Sequence, residues 1–351
     1  MDWAASGIAN SFDFEMVDPF DLDVSKGFIQ GVTSAKLNED YGSDYGSALS
    51  LGLDGAQVDL DCAVRVWHTA TLGTDEVTEE LGTFLIDKKP GNYKYGRYTG
   101  TLSLQSSLLR LGTDKRVGDR AVGSGSAIVP TLTSIMQASG ATVAISPDFS
   151  GTATLSASHV WEDGKSALEE CKRLAEAIGG HLVTDTHGRV GMEPAITDAA
   201  NLAPCFTIGP GIALAGVGID DADVVNRVGV TYKSGNTVYR ATATVPSTHP
   251  WHWARIGRWA SLNQSVNSVT GTIQTALQRL ADQYLAEATS TGRTFSVDTL
   301  YFPVKVGTAG MLDYQDSAAD GGIWSKVILR AREVSLDASM VQSLTLEEVL
   351  E

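Results

Sequence analysis

The stretch Val58-Asp59-Leu60-Asp61-Cys62-Ala63-Val64-Arg65-Val66-Trp67-His68 decides the fold class. Val58, Leu60, Cys62, Val64 and Val66 recur at every second position, with Asp59, Asp61, Ala63 and Arg65 between them. A period of two marks a strand with one buried face, so the spacing predicts a strand over 58–68. Tyr98–Leu104 repeats the pattern, with Tyr98, Leu102 and Leu104 opposite Thr99, Thr101 and Ser103. Leu81–Asp87 is a short apolar run, and Lys88-Lys89-Pro90-Gly91-Asn92 reads as the turn between runs. Residues 26–112 are therefore expected to form one antiparallel domain, a small barrel or sandwich.

Further along, the pattern changes. Residues 113–126 are polar and rich in Gly and Ser; then Ile128, Leu132, Ile135 and Met136 fall at helical spacing and Ser139-Gly140 stops the helix. A second helix opens at Ser166, where Ser166 and Glu169 fit a capping box and would satisfy free backbone N–H groups reciprocally. Leu168, Cys171, Ala175 and Ile178 line its inner face, Gly179-Gly180 ends it, and a hairpin follows around Thr186-His187-Gly188. β spacing returns at Val224–Tyr232 and Thr237–Val245, separated by the turn signal Ser234-Gly235-Asn236. Ile273, Leu277, Leu280, Ala281 and Tyr284 mark the longest helix, over about 270–288, before β spacing at Thr294–Val306 and Ile323–Leu336. The class is α+β and β-dominant, and its element order suits a β domain carrying insertions.

The chain has 351 residues, a soft prior for two or three domains. Its 42 acids against 26 bases leave a net charge of −16, unsuited to gripping phosphate backbones, where Lys and Arg supply most of the affinity. No stretch approaches the ~20 apolar residues of a membrane helix, so no stable membrane insertion is expected. Met1–Ile8 lacks a basic n-region and an apolar h-region, so a secretory signal is not expected. Cys62, Cys171 and Cys205 are odd in number and widely spaced, which gives neither a disulfide framework nor a metal spacing and points to folding in a reducing compartment.

Residues 1–25 hold six acids (Asp2, Asp13, Glu15, Asp18, Asp21 and Asp23) and no Lys or Arg. Phe12, Phe14, Met16, Val17, Phe20 and Leu22 are interleaved with them. Such a segment is either a solvated tail or an arm that docks on a neighbour. The large apolar groups favour the arm, with Phe12, Phe14 and Phe20 as its anchors.

The catalytic constellations fail on spacing. Asp163-Gly164-Lys165-Ser166 sits at a helix start, but a phosphate loop needs a glycine where His159 stands. Gly123-Ser124-Gly125-Ser126 does not fit a nucleophile elbow. His181, Asp185 and His187 share a side of a strand, yet a turn explains Asp185 and Gly188 without chemistry. Glu169 and Glu170 diverge on a helix, and Asp220, Asp221 and Asp223 lack the glycine and bidentate glutamate of a calcium loop. No catalytic, cofactor-binding or metal-binding residue is therefore assigned, and no cofactor is expected. Trp251, Trp253 and Trp259, with Arg255, Arg258, His249 and His252, form the densest aromatic–basic cluster. It could stack on sugars or bases, but partner packing is the expected role, because Trp and Arg are favoured at interfaces.

The order of these runs resembles a known family. It proceeds from Leu81-Gly82-Thr83-Phe84-Leu85-Ile86 through Tyr98–Leu104 and Ser107-Leu108-Leu109-Arg110-Leu111 to the 127–138 helix. Trp161-Glu162-Asp163-Gly164-Lys165-Ser166-Ala167-Leu168 and Gly180–Val190, with its Asp–Gly–Arg hairpin, follow. Over most of residues 26–340 this is similar to the tail-tip, baseplate hub or minor tail proteins of tailed bacteriophages. The resemblance implies a non-enzymatic virion protein, a homotrimer with two tail-tube-like β-barrels per chain. It would sit at the tail tip, be assembled in the host cytoplasm, adapt a sixfold tube to a threefold tip and line the channel for DNA ejection. Its partners would be a distal tail protein or tail tube above, and tip, fibre or tape-measure proteins; DNA would pass without specific binding.

On that plan residues 1–25 are a docking arm, 26–112 barrel 1 and 113–206 an α+β insertion. Barrel 2 takes 207–246 plus 293–340, a peripheral insertion with the long helix takes 247–292, and 341–351 is a C-terminal tail. Asp59 and Asp61, on the polar face of the expected strand, are candidate lumen acids; ordinary solvent exposure is the alternative. A phage-like injection or gene transfer particle would use the same hub. A cell-wall hydrolase is a more distant alternative, for which the sequence holds no matching signature.

Overall fold

The computed structural model describes residues 7–349 except 116, 118–119, 147–148, 150–152, 156–157, 162, 197–200, 210–211, 213–216, 221–223, 235–236, 250, 267–272, 290 and 315–322. The chain divides into two compact units. The first holds residues 1–197, 299–307 and 330–343, and the second holds 198–298, 308–329 and 344–351.

The first unit is built on an antiparallel sheet. Its strands are β1 (Ala9–Val17), β2 (Ser25–Phe28), β3 (Val32–Asp40), β4 (Ser47–Ala56), β5 (Ala63–Leu72), β6 (Asp75–Lys88), β7 (Gly91–Lys94) and β8 (Arg97–Gln105). They lie in the order β3-β4-β8-β6-β5-β1-β2, with β7 paired to β8 and residues 331–335 paired to β3. Leu37 faces Leu49, Leu49 faces Leu104, and Leu51 faces Leu102 across these ladders. All five leucines are buried, so the two-residue period places them on one face in a continuous core. Each such side chain contributes about 1.5–3 kcal/mol on burial.

Helices α1 (Leu108–Thr113), α2 (Ile128–Ala138) and α3 (Ala167–Glu176) form a second core with the hairpin of β11 (Gly180–Thr184) and β12 (Val190–Pro194). Between them, β9 (Arg120–Val122) pairs with β10 (His159–Trp161). The capping box is present: Ser166 Oγ accepts from the Glu169 N–H at 3.2 Å, and Glu169 accepts from the Ser166 N–H at 3.0 Å. Residues 185–189 close the hairpin, as the Asp–Gly–Arg pattern predicts.

The second unit contains β13 (Phe206–Ile208), β14 (Gly218–Asp220), β15 (Arg227–Ser234), β16 (Thr237–Thr244), α4 (Trp253–Ile256), β17 (Ser261–Val266) and α5 (Ile273–Thr289). After them in the chain come β18 (Thr291–Leu300), β19 (Ala309–Tyr314), β20 (Ile323–Ser335) and β21 (Val341–Val349), of which residues 299–300, 330–335 and 341–343 belong to the first unit. β15, β16 and β17 form their own three-stranded sheet, and Leu277 and Ala281 of α5 pack on Val228, Val230, Ala241 and Ala243.

Several expectations are corrected by this pairing. The strand expected over 58–68 begins at Ala63; residues 57–62 are loop, because Asp59 takes the turn's N–H group at Asp61 (2.9 Å). Residues 9–17 are not a detached arm. They are β1, in register with β5 from Ala9–Thr71 to Val17–Ala63, because Phe14 and Met16 enter the chain's own core. The 207–246 segment is divided: β13 and β14 pair with β19 and β18, whereas β15 and β16 join β17 and α5. The expected 341–351 tail is mostly β21, whose Gln342, Leu344 and Leu346 are buried at alternate positions. Among the described residues the first unit's strand order is an open path, ending at β2.

Candidate functional site

Two polar clusters lie within the sheet of the first unit: Arg65 is on the face of β5 opposite Val64 and Val66, and His68 is on the same face as those valines. In the first, Arg65 donates from Nη2 to the Leu22 carbonyl at 2.6 Å, and its Nε lies 2.9 Å from Glu80 Oε1. Glu15 completes the cluster, 3.7 Å from Arg65 Nη1 and accepting from Trp67 Nε1 at 2.9 Å. His187 Nδ1 sits 2.5 Å from the second oxygen of Glu80. Arg65 and Glu15 are both buried. Removing either partner of such a cluster costs far more than the pair contributes, because a buried charge is left uncompensated.

The second cluster centres on His68, which is fully buried. Its Nδ1 is 3.0 Å from Glu79 Oε1 and its Nε2 is 3.0 Å from Asn10 Oδ1. Tyr301 donates to the same Glu79 oxygen at 2.8 Å. Burial works to raise the Glu79 pKa, but the hydrogen bonds from His68 and Tyr301 outweigh it and hold the carboxyl below its ordinary range. Burial, then the Glu79 charge, pushes the Tyr301 phenol upward. These contacts tie β1 and the 301 segment to β5 and β6.

A cleft of about 440 Å³ opens beside them, lined by carboxylates including Glu39, Glu79, Glu80, Asp185 and Glu193 and by Arg332 and Lys305. The charges are paired: Arg332 with Glu39 at 2.5 Å, Lys305 with Glu193, and Asp185 with Arg189 at 2.6 Å. Among the described residues no group of three or more His, Cys, Asp or Glu is placed to hold a metal ion.

The residues singled out by sequence fall as follows. His181, Asp185 and His187 do not converge: His181 stacks on Tyr41 at 4.4 Å, while Asp185 and His187 take Arg189 and Glu80. Lys165 of the Asp-Gly-Lys-Ser run pairs with Glu169 at 3.2 Å and Ser166 caps α3, so helix initiation occupies both. Asp59 lies 3.4 Å from Lys26, and Asp61 is almost fully exposed, 3.9 Å from Lys89. Phe14 is buried, Phe12 packs against the same core, and Phe20 is 80% exposed beneath the Arg110 guanidinium.

In the second unit Trp253 and Trp259 stack at 5.6 Å, each about half exposed, with Arg227 over Trp259 at 4.9 Å. Trp251 is more enclosed. Sequence reasoning passed over the residue that holds this segment, Asn226. It is fully buried, donates from Nδ2 to the carbonyls of Trp251 (3.0 Å) and Arg258 (2.9 Å), and accepts from the Ala260 N–H at 2.8 Å. One amide thus closes the loop from β16 to β17. Its only sequence signal is an asparagine at the mouth of an apolar strand.

The sequence matches no protein-family model and no curated protein. Solved structures do match, over nearly the whole chain. The tail protein from Neisseria meningitidis MC58 superposes with a TM-score of 0.62 at 14% identity, covering 96% of this chain and 97% of its own. The 43 kDa tail protein of prophage MuSo2 from Shewanella oneidensis gives 0.63 at 14% identity, covering 95% and 97%. The chain has the fold of phage tail proteins. A chain of the Francisella PdpA-VgrG complex shares the tail-protein fold, with a TM-score of 0.60 at 10% identity over 98% of this chain and 58% of that one. The match therefore spans residues of both units rather than of one sheet alone.

Proposed function

We propose that this chain is a structural hub of a phage tail tip, without catalytic activity of its own. The observation that carries the proposal is the end-to-end match to two tail proteins of nearly equal length. In this reading three copies form a ring that adapts a sixfold tube to a threefold tip and surrounds the DNA channel. The chain then occupies the virion tail tip, is assembled in the host cytoplasm, and contacts a distal tail protein or tube above and tip, fibre or tape-measure proteins.

Two tube-like barrels per chain are part of the proposal. Supporting it, Asn10 Nδ2 of β1 reaches the Ala338 carbonyl (3.4 Å), bringing β1 towards the segment that follows β20. The net charge of −16 suits a channel wall, since carboxylates repel phosphates and forgo counterion release. Asp61, exposed on its loop, and Asp59 remain the proposed lumen acids. Phe20, Trp253 and Trp259 are the proposed contacts with neighbours, because large exposed apolar groups near cations fit interface anchors. The likeness to a chain of the PdpA-VgrG complex favours, as a second reading, the hub of a related injection machine.

Native mass spectrometry of the purified assembly tests the stoichiometry. Three copies, or a multiple of three, are expected; a strictly monomeric chain inside an intact particle overturns the ring.

A further inference from the structure

The tip of the β7–β8 hairpin is a basic, aromatic finger. Every residue from Asp87 to Arg97 is exposed, and β7 pairs with the first residues of β8 in a hairpin. Residues 88–97 read Lys-Lys-Pro-Gly-Asn-Tyr-Lys-Tyr-Gly-Arg: four bases and no acid, in a chain of net charge −16. At the tip Lys94 pairs with Arg97, so Tyr95 and Gly96 form a two-residue turn with φ of 53° and 73°. Both residues are left-handed, as a type I′ hairpin requires, and asparagine or glycine is the usual occupant of the first position. A tyrosine there is strained, and it is 91% exposed, so no packing within the chain explains it. Arg97 braces the finger by donating to the Gly55 carbonyl at 2.8 Å, and Lys89 lies 3.9 Å from Asp61. The Lys94 ammonium instead lies 5.1 Å from the Tyr95 ring, a tyrosine–cation pair facing outward.

The complementary surface is on the same sheet. Between Thr69 and Thr78 the sequence holds Asp75 and Glu76 and no base, and the next two acids, Glu79 and Glu80, are engaged by His68 and Arg65. Asp75 and Glu76 are exposed beside the two-residue turn Gly73-Thr74 that joins β5 to β6. Register fixes where the two tips lie. β6 and β8 are antiparallel and meet at Leu85–Gln105 and Lys88–Ser103. From that meeting β6 leads back to Asp75 in one direction, and β8 leads back to Arg97 in the other. A basic tip and an acidic tip therefore project from opposite ends of one sheet.

We propose that the β7–β8 finger of one copy docks on the acidic β5–β6 turn of a second copy of this chain, head to tail. Different surfaces on the two partners make the contact heterologous, the kind that closes into a ring when the rotation permits. Tyr93 and Tyr95 supply contact area at low entropic cost, and Lys94 opposite Asp75 and Glu76 sets the register. The contact rests on the ring proposed above, for which it names the joint.

Analytical ultracentrifugation of the full chain tests it, with Lys94→Glu, Asp75→Lys, the pair combined, and Tyr95→Gly. All three positions are exposed, so folding is retained, and circular dichroism checks this. Each single charge reversal is expected to weaken self-association by about tenfold or more, and the combined variant to recover it. Tyr95→Gly relieves the turn and is expected to stabilise the fold while weakening association. A wild-type oligomer indifferent to Lys94→Glu, or no recovery in the combined variant, overturns the contact and leaves the ring standing. A wild-type chain that never associates overturns both. Loss of binding to a DNA duplex probe in Lys94→Glu, with association unchanged, assigns the finger to nucleic acid and overturns the proposal.

Discussion

Tyr301 donates a 2.8 Å hydrogen bond to Glu79, across 222 positions of sequence, and the same carboxylate oxygen faces His68 Nδ1 at 3.0 Å. One atom thereby links a β6 residue to a histidine on β5 and to a segment near the chain's end. Tyr301→Phe is expected to cost about 1.5–3 kcal/mol, the range for hydrogen bonds to charged groups. The Glu79 pKa is depressed by folding, so its contribution is present above the ordinary glutamate value of 4.5 and is lost as the pH falls through the lower folded value. Urea unfolding at pH 7 and pH 3 should show that loss in the wild type and a smaller one in Glu79→Gln. Equal pH dependence in both would contradict the assignment.

Phe14 and Phe20 lie six positions apart and should behave oppositely. Phe14 is buried in the core, so Phe14→Ala is expected to destabilise the fold by about 3–5 kcal/mol. Phe20 is exposed, so Phe20→Ala should change stability by less than about 0.5 kcal/mol while impairing assembly with neighbours. Thermal denaturation beside a tail-assembly assay separates them. Normal assembly in Phe20→Ala would remove that residue from the interface.

The Asn226 side chain clasps the loop bearing the tryptophans with three hydrogen bonds. Replacing it with Leu strands two carbonyls and one N–H, at a cost of about 2–4 kcal/mol. Trypsin should then cut faster after Arg255 and Arg258 than in the wild type. An unchanged cleavage rate would mean the loop is held by something other than this amide.

His181, Asp185 and His187 each engage a different partner, so none is placed for shared chemistry. Alanine at any of the three should leave wall-degrading activity of the particle unchanged, measured as peptidoglycan release. Loss of that activity with assembly intact would reveal a catalytic site.

What was legible in the sequence was local. The capping box at Ser166, the stop at Gly140 and the 185–189 turn depend on residues within a few positions, and each formed where its pattern stood. β1 was hidden because its acids suggest a solvated segment, although Phe12, Phe14 and Met16 alternate as a strand should. Asp13 and Glu15 lie on the other face, where Glu15 has Arg65 and Trp67 as partners that spacing alone cannot supply. The partners of β15 and β16 are not legible, because strand patterns do not name them, and α5, which covers both strands, follows only after the tryptophan loop. The Arg65 and His68 clusters were invisible for the same reason: each gathers residues from at least three separate segments. In the sequence the basic finger looks like no more than a turn, since its meaning lies in exposure and in the charge of the opposite end.

Electron cryomicroscopy of the intact particle tests the central claim most directly. The account predicts density for this chain at the tail tip, in a ring of three around an open axis, with acidic loops including Asp61 facing the channel. Density for it elsewhere in the particle, or a single copy off the axis, would contradict the account.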